Sequence, residues 1–178
     1  MGGIYLDSGF AREYAGPWEV AAMIQLKIKR LEVVEGSPLV RILLQDIANE
    51  REIEIWVGWP EASAIQAHLE GSTPPRPMTH DLMASILSSL QAKVLQLLIS
   101  DMQDETYYAL LAISANGRVH EIDCRPSDGI ALAVRCGAPI FISEELVVRI
   151  DQLRSEPGAA PAPRFGAIIV EREDTTIH

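Results

Sequence analysis

The sequence predicts an α+β fold, in which a mixed, mostly antiparallel sheet and three to four helices form a single compact domain. Three observations predict this class. Several stretches alternate apolar and polar residues, others repeat apolar residues at helical spacing, and turn signals separate them. We expect the domain at residues 23–154, after an extension of low order at 1–22 and before a Pro/Ala linker at 155–164 and a tail at 165–178.

The domain is expected to begin with three strands. The stretch "IQLKIK" alternates strictly from Ile24, and its phase slips by one residue at Arg30, which predicts a β-bulge. After the turn "EGSP", the stretches "LVRILLQD" and "REIEIWVG" predict two further strands, joined through Asn49 as neighbours in a meander.

Two helices are expected to follow these strands. Pro60 suits the first turn of a helix that ends at Gly71. Beyond the stiff loop "STPPRP", Thr79 is a good N-cap for the stretch "THDLMASILSSLQA". This second helix repeats apolar residues every four positions, which predicts one apolar face made of Leu82, Ile86 and Leu90, with Met83 and Leu87 beside them.

The second half of the domain predicts four strands and two helices. "KVLQLLIS", "TYYALLAIS" and "RVHEID" have strand patterns, and "PIFI" is short and fully apolar, as a buried strand is. Pro126 opens one helix, Gly137 ends it as a C′ residue, and Ser143 caps the last helix. In the tail, "FGAIIVE" is a further strand candidate that could complete the sheet or pair with another chain.

Charge and composition narrow the classes of function. The net charge of −10 and the lack of a basic run argue against a tight, non-specific nucleic-acid binder, because such binding depends on cationic contacts to phosphates. An enzyme that touches phosphate through one or two arginines remains compatible with this charge. We expect no membrane span, which would need ~18 apolar residues in a row, and no secretory signal. Cys124 and Cys136 predict two reduced thiols in a cytoplasmic protein.

The first candidate site lies in the stretch "EIDCRPSDG". Glu121 and Asp123 share one face of the predicted strand at ~7 Å, a spacing that invites a cation. Arg125 offers a guanidinium fork suited to phosphate or carboxylate, and Asp128 lies in the first turn of the following helix. The same residues could instead be ordinary helix caps and an ion pair that fixes the turn, and the spacing leaves both interpretations open.

The second candidate site is the stretch "RPMTHDL". Arg76, Thr79, His80 and Asp81 gather at a predicted helix N-terminus, where free backbone N–H groups favour anions. The alternative is that Thr79 and Asp81 cap the helix and His80 is an exposed residue of its first turn. Glu61 lies in the first turn of the earlier helix, where complementation of the helix dipole would explain it adequately.

Four stretches, in this order, resemble the bifunctional nuclease domain of bacteria and plants. They are "IWVGWPEASAI", "PRPMTHDL", "YYALL" and "IDCRPSDGIALAVRCGAPIFISEEL", and the likeness runs from about Met23 to Asp151. It implies a compact cytoplasmic α+β domain that forms homo-oligomers and cuts DNA and RNA. Gly129 departs from the alanine usual in the family. The polar residues that match are Glu61, Arg76, Thr79, His80, Asp81, Asp123, Arg125, Ser127 and Asp128.

The resemblance and the two candidate sites together predict a metal-dependent phosphodiesterase with DNA and RNA as weak, salt-dependent substrates. The predicted catalytic residues are His80, Asp81, Asp123, Arg125 and Asp128. Substrate binding is expected from Arg76, Thr79 and Ser127. A divalent cation, Mg²⁺ or Mn²⁺, is expected on Glu121, Asp123, Asp128 and Glu61. The alternative is a non-enzymatic oligomeric binding or regulatory module in which the same polar motifs are structural.

Overall fold

The structure is a computed structural model, and it describes residues 23–48, 51–72, 74–104 and 106–155. Seven strands lie in these ranges: β1 (Met23–Val33), β2 (Val40–Asp46), β3 (Glu52–Val57), β4 (Lys93–Gln103), β5 (Thr106–Ala115), β6 (Arg118–Cys124) and β7 (Ile140–Ser143). The same ranges contain four helices: α1 (Trp59–Leu69), α2 (Thr79–Ser89), α3 (Pro126–Cys136) and α4 (Glu144–Ser155). The expected extension at 1–22, the "FGAIIVE" strand candidate and the linker beyond Ser155 lie outside the described residues.

All seven described strands belong to one sheet, in the order β3-β2-β1-β7-β4-β5-β6. Five neighbouring pairs are antiparallel, and the pair of β4 and β7 is parallel. The short strand β7 therefore lies in the middle of the sheet, with Ile140 and Ile142 buried, as its wholly apolar sequence predicts. The predicted α+β class with a mixed, mostly antiparallel sheet is confirmed.

Strand β1 contains the predicted bulge. Its pairing with β2 shifts register between Ile28 and Arg30, where the alternation of the sequence slips. Strands β2 and β3 are antiparallel neighbours, as the meander requires, although Asn49 in their connection lies outside the described residues.

Most helix ends lie where the sequence placed them. Pro60 is in the first turn of α1, Gly137 ends α3 with φ +66°, and Ser143 Oγ accepts a hydrogen bond of 3.1 Å from the Leu146 N–H. The prediction of Thr79 as an N-cap is wrong: the cap residue is Met78, and Thr79 is the first helical residue. The side-chain contribution to the cap comes from Asp81, the third residue of the helix, whose carboxylate accepts the Met78 N–H at 2.9 Å.

Helix α3 is the central helix of the domain. It contacts α1 and α2 on its flanks and strands β4 and β5 beneath, and Ile130 and Ala133 within it are fully buried. Gly129 lets it approach the sheet closely, since a Cβ there would lie 2.4 Å from Leu97 Cδ1 on β4. The N-terminus of α3, which carries Asp128, is thereby held against the sheet.

Helix α2 differs from α3 because little of it is buried. Among its residues only His80 is buried, and the predicted apolar face with Leu82 and Ile86 is largely exposed to solvent. The predicted helix and its apolar stripe are thus present, but the described part of the chain does not cover that stripe. No helix among the described residues combines the length and the apolar character needed to cross a bilayer.

Candidate functional site

A cleft of about 750 Å³ lies between α2 and the edge of the sheet. Helix α1 and the N-terminus of α3 close one end of it, and this end carries the charged residues. The remaining walls are apolar and come from α2, α3, β5 and β6. The apolar lining residues include Met78, Met83, Ile86, Leu87, Leu111, Ile113, Ile122 and Leu132.

Arg125 is the centre of the charged end. Its Nε donates to Asp128 Oδ2 at 2.7 Å, its Nη2 donates to Asp128 Oδ1 at 3.2 Å, and its Nη1 donates to Glu61 Oε1 at 3.1 Å. The hydrogen bond that the guanidinium donates to Asp128 is the largest cause that raises the pKa of Arg125. One arginine thus joins the first turns of α1 and α3, while its side chain stays 56 % exposed to the cleft.

His80 lies on the other side of Asp128. Its Nε2 is 3.3 Å from Asp128 Oδ1, and its Nδ1 is buried without a hydrogen-bond partner. We assign a proton to Nε2, because the neighbouring carboxylate accepts one there. The histidine can therefore exchange a proton with the cleft through Nε2 alone, since Nδ1 is sealed from water.

Asp81 belongs to a separate cluster. Its Oδ1 accepts from Arg135 Nε at 2.6 Å and its Oδ2 from the Met78 N–H at 2.9 Å, and Arg135 holds the pKa of this carboxyl below its usual value. Arg135 also donates to the carbonyls of Ala131 at 2.8 Å and Ala64 at 3.0 Å, with only 6 % of its side chain exposed. This arginine ties three helices together.

No pattern in the sequence singles out Arg135. A basic residue in the last turn of a helix is ordinarily explained by the helix dipole, and its carboxylate partner lies 54 residues away. Ile122 was not predicted as a site residue either, because the carboxylates on either side of it indicated a charged site rather than an apolar one. It faces the cleft, on the opposite side of β6 from Glu121.

The remaining predicted site residues are divided between the cleft and other places. Thr79 and Asp123 line the cleft, whereas Glu121 and Arg76 are exposed residues that do not. Ser127 is fully buried at the start of α3. The structure therefore brings His80, Arg125, Asp128 and Glu61 into direct contact and leaves Asp81, Glu121 and Arg76 outside that group.

The arrangement of the carboxylates does not match a metal cage. Among the residues that the structure describes, no three His, Cys, Asp or Glu side chains are grouped so that they could hold a metal ion. Glu61 and Asp128 both face Arg125, which occupies the place where a cation would sit between them. The binding of Mg²⁺ or Mn²⁺ by Glu61, Glu121, Asp123 and Asp128 stays a prediction.

Cys124 lies beside this site without taking part in it. Burial is the main cause that raises the pKa of its thiol to about 11, so the thiol stays protonated at neutral pH and is a poor nucleophile. Both cysteines are free, in agreement with the prediction of two thiols.

The fold and the site define a single α+β domain in which charged residues from three helices meet at one end of a largely apolar cleft. The chain belongs to the bifunctional nuclease domain family, whose family model matches residues 42–154. The predicted resemblance is therefore confirmed, and strand β1 lies ahead of the matched range.

The relatives match this chain at two levels of sequence identity. Uncharacterized proteins from two strains of Mycobacterium tuberculosis are each 36 % identical over 120 residues, which cover 67 % of this chain and 70 % of theirs. A protein named Bifunctional nuclease 1, from Arabidopsis thaliana, is 28 % identical over 104 residues, which cover 56 % of this chain and 32 % of the plant protein.

Proposed function

We propose that this chain is a nuclease that hydrolyses phosphodiester bonds of DNA and RNA at the Arg125 end of the cleft. Two facts support the proposal: the chain belongs to the bifunctional nuclease domain family, and a plant relative is named Bifunctional nuclease 1. The observation that carries it is that Asp128 contacts both Arg125, three residues before it, and His80, 48 residues before it in the chain, at an open cleft.

Arg125 is the proposed phosphate-binding group. A guanidinium presents a rigid fork of donors that matches two phosphate oxygens, and more than half of this side chain is open to solvent. Its single bond to Glu61, at 3.1 Å, is the weaker of its two attachments. We propose that the phosphate takes the place of Glu61, while the two bonds to Asp128 keep the guanidinium oriented.

His80 is the proposed proton-transfer group. Hydrolysis requires that the attacking water lose a proton, that the bond to the leaving oxygen break, and that a proton reach that oxygen. In this proposal His80 acts as the imidazolium: its Nε2 proton passes to the leaving oxygen, the ring becomes neutral, and the proton lost by the attacking water restores Nε2, while Asp128 fixes the orientation of the ring. In this proposal Asp128 positions both the histidine and the arginine and has no separate role.

The charge of the site limits the affinity for substrate. Glu61, Asp123 and Asp128 surround one arginine, so this end of the cleft is acidic and repels a phosphate backbone. We therefore expect weak binding that salt weakens further.

A requirement for Mg²⁺ or Mn²⁺ is a separate proposal, because the described carboxylates are not grouped as a ligand set. The test is cleavage before and after treatment with EDTA, followed by readdition of each cation. Cleavage that EDTA leaves unchanged would reject the cation requirement and leave the assignment of Arg125 and His80 standing.

The cellular setting is proposed from the resemblance as well. We propose that the chain acts in the cytoplasm and forms a homo-oligomer. Its two free cysteines agree with a reducing compartment.

The decisive experiment compares cleavage of labelled DNA and RNA oligonucleotides by the full chain and by Arg125→Ala and His80→Ala variants. We expect each variant to lose at least about 100-fold in rate, as removal of a proton-transfer or charge-binding group does. Arg51→Ala is the control, because Arg51 forms an exposed ion pair with Asp151 at 3.8 Å and does not line the cleft.

All variants are purified identically, so a contaminating nuclease would give the same cleavage in every preparation and cannot explain a loss in one variant. Melting temperatures must stay within a few degrees of the wild type for the rates to be compared. Cleavage by Arg125→Ala at the rate of the wild type would refute the proposed site.

The non-enzymatic alternative has one observation in its favour. Arg125 is already neutralised by two carboxylates, as an arginine in a structural ion-pair network is. If the cluster is structural, the full chain cleaves neither nucleic acid, and Arg125→Ala lowers the melting temperature or the oligomer mass. The two readouts together distinguish the candidates.

A further inference from the structure

Helix α2 presents a band of large apolar side chains to solvent. Leu82 is 55 % exposed, Ile86 is 48 % exposed and Leu90, at the C-cap, is 67 % exposed, with Met83 beside them. These four residues are called the α2 face below. They recur at helical spacing along the helix, whereas His80 is its one buried residue and attaches α2 to the domain.

Such a helix needs more burial than the described chain gives it. Helices shorter than ~12–15 residues are marginal in water unless an apolar face is packed, and α2 has 11 residues. The α2 face together with Met78 and Ile122 exposes on the order of 600 Å² of largely apolar surface, which is the size that marks interaction sites and approaches the ~800 Å² per partner of a stable interface.

The surface around the α2 face carries no charge. Residues 82–92, "LMASILSSLQA", contain no ionisable side chain in a protein in which 22 % of residues are charged. The hydroxyls that flank the face are satisfied within the helix, since Ser85 Oγ donates to the Asp81 carbonyl and Ser89 Oγ to the Ser85 carbonyl, each at 2.8 Å. Covering this surface therefore removes no charge from water and breaks no side-chain hydrogen bond.

We propose that the α2 face is the contact surface between two copies of this chain, packed face to face across a two-fold axis. Identical copies with a net charge of −10 repel one another through most of their surface, and an uncharged face minimises that repulsion. A two-fold contact requires a surface that complements itself, which an uncharged apolar helix with small serines at its border provides.

The second copy also completes the cleft. Met83 and Ile86 belong to the α2 face and line the cleft at the same time, together with Ile122 across from them. A partner that covers the α2 face therefore forms a wall of the cleft and shields its apolar part from water. The interface stands independently of the nuclease activity, because it is argued from burial and charge alone.

The test measures the mass of the full chain by sedimentation equilibrium over a range of concentrations. We expect a dimer of about twice the 19.6 kDa chain mass for the wild type. Ile86→Glu places two charges in the interface and should raise the dissociation constant of the dimer at least about 100-fold. Val148→Glu is the matched control, because Val148 is a helical apolar residue exposed to nearly the same extent on α4, and it should remain a dimer.

Two further variants decide between occupants of the α2 face. Leu90→Glu replaces the most exposed of the four side chains, so it should dissociate the dimer without disturbing the fold even if Ile86→Glu fails to fold. Ile168→Glu alters the apolar C-terminal stretch and should leave the dimer intact. A monomeric wild type, a folded Leu90→Glu variant that stays dimeric, or an Ile168→Glu variant that dissociates would each overturn the proposal, the last in favour of the C-terminal stretch as the occupant.

Discussion

The two arginine clusters of the domain use the same chemistry in opposite ways. Arg135 is enclosed, and its guanidinium donates to Asp81 and to two backbone carbonyls of α1 and α3. Arg125 is more than half exposed, and it donates to side-chain carboxylates only, beside an open cleft. Each cluster joins helices that are distant in sequence, and each contains an aspartate of a family motif.

The two clusters differ in whether a ligand could displace the groups that accept hydrogen bonds from the arginine. The carbonyls that Arg135 contacts are fixed by their helices, so no ligand can displace them, and the cluster is suited to holding the fold together. The carboxylates around Arg125 are side chains at a solvent-accessible edge, where an incoming anion can compete for the guanidinium. Exposure therefore separates the structural arginine from the candidate functional one, although both are paired.

The largest expected effect is on stability when Arg135 is replaced. Arg135→Ala removes the charged donor from Asp81 and from the carbonyls of Ala64 and Ala131, which should lower the free energy of unfolding by about 3 kcal/mol. Urea unfolding followed by circular dichroism measures it. If Arg135→Ala costs no more than Arg125→Ala, the contrast between the clusters is wrong.

A smaller loss of stability is expected at the helix that carries the Arg125 cluster. Gly129→Ala places a methyl group 2.4 Å from Leu97 Cδ1, and the displacement of this buried leucine should cost about 2 kcal/mol although alanine favours helices. The comparison of Gly129→Ala with a Gly129→Ala, Leu97→Val double variant in urea checks the cause. Valine at position 97 should recover part of the lost free energy of unfolding. If Gly129→Ala alone is as stable as the wild type, the Leu97 side chain moves aside at no cost and the prediction is wrong.

The pH dependence of the Arg135 cluster should be small but of definite sign. The pKa of Asp81 is lowered in the folded chain, chiefly by Arg135, so its contribution is complete above the unfolded value near 3.8 and is lost as pH falls through the folded value. The free energies of unfolding of wild type and Asp81→Asn should differ by about 1 kcal/mol at pH 7 and converge only as pH falls from 3.8 through the lowered pKa of the folded carboxyl. A difference that grows in acid would contradict the assigned pair.

The smallest expected effect on stability is at Arg125. Exposed ion pairs contribute little, so Arg125→Lys and Arg125→Ala should each change the free energy of unfolding by less than ~1 kcal/mol. The activity should nevertheless fall in Arg125→Lys, because an ammonium cannot reproduce the two-pronged contact with phosphate. Parallel measurement of unfolding and cleavage separates the two roles, and a large stability loss would move Arg125 into the structural class with Arg135.

The Asp81→Asn variant also tests the predicted catalytic role of Asp81. Both of its carboxylate oxygens are engaged within the fold, by Arg135 and by the Met78 N–H, and neither serves the cleft. If Asp81→Asn cleaves nucleic acid as the wild type does at pH 7, its role is structural and the catalytic prediction for this residue is wrong.

Local chemistry made much of the fold predictable. The bulge at Arg30, the C′ position of Gly137 and the cap at Ser143 each depend on residues that are neighbours in sequence, and each is present in the structure. The cap of α2 was misplaced by one residue for a local reason too, because Asp81 accepts the N–H of Met78 and so fixes Met78 as the cap residue. For the candidate site, the sequence predicted which residues take part but not which of them contact one another.

The sequence by itself determined the strands, the helices, most of their ends and the family, because periodicity, caps and motif spacing act over a few residues. Only the tertiary structure decided that Asp128 contacts both Arg125 and His80, that Asp81 pairs with Arg135, and that the apolar face of α2 is uncovered. The contacts of Asp128 with His80 and of Asp81 with Arg135 join residues 48 and 54 positions apart in the chain, which meet only when the helices pack on the sheet. The pairing of charges follows from that packing, and no local pattern encodes it.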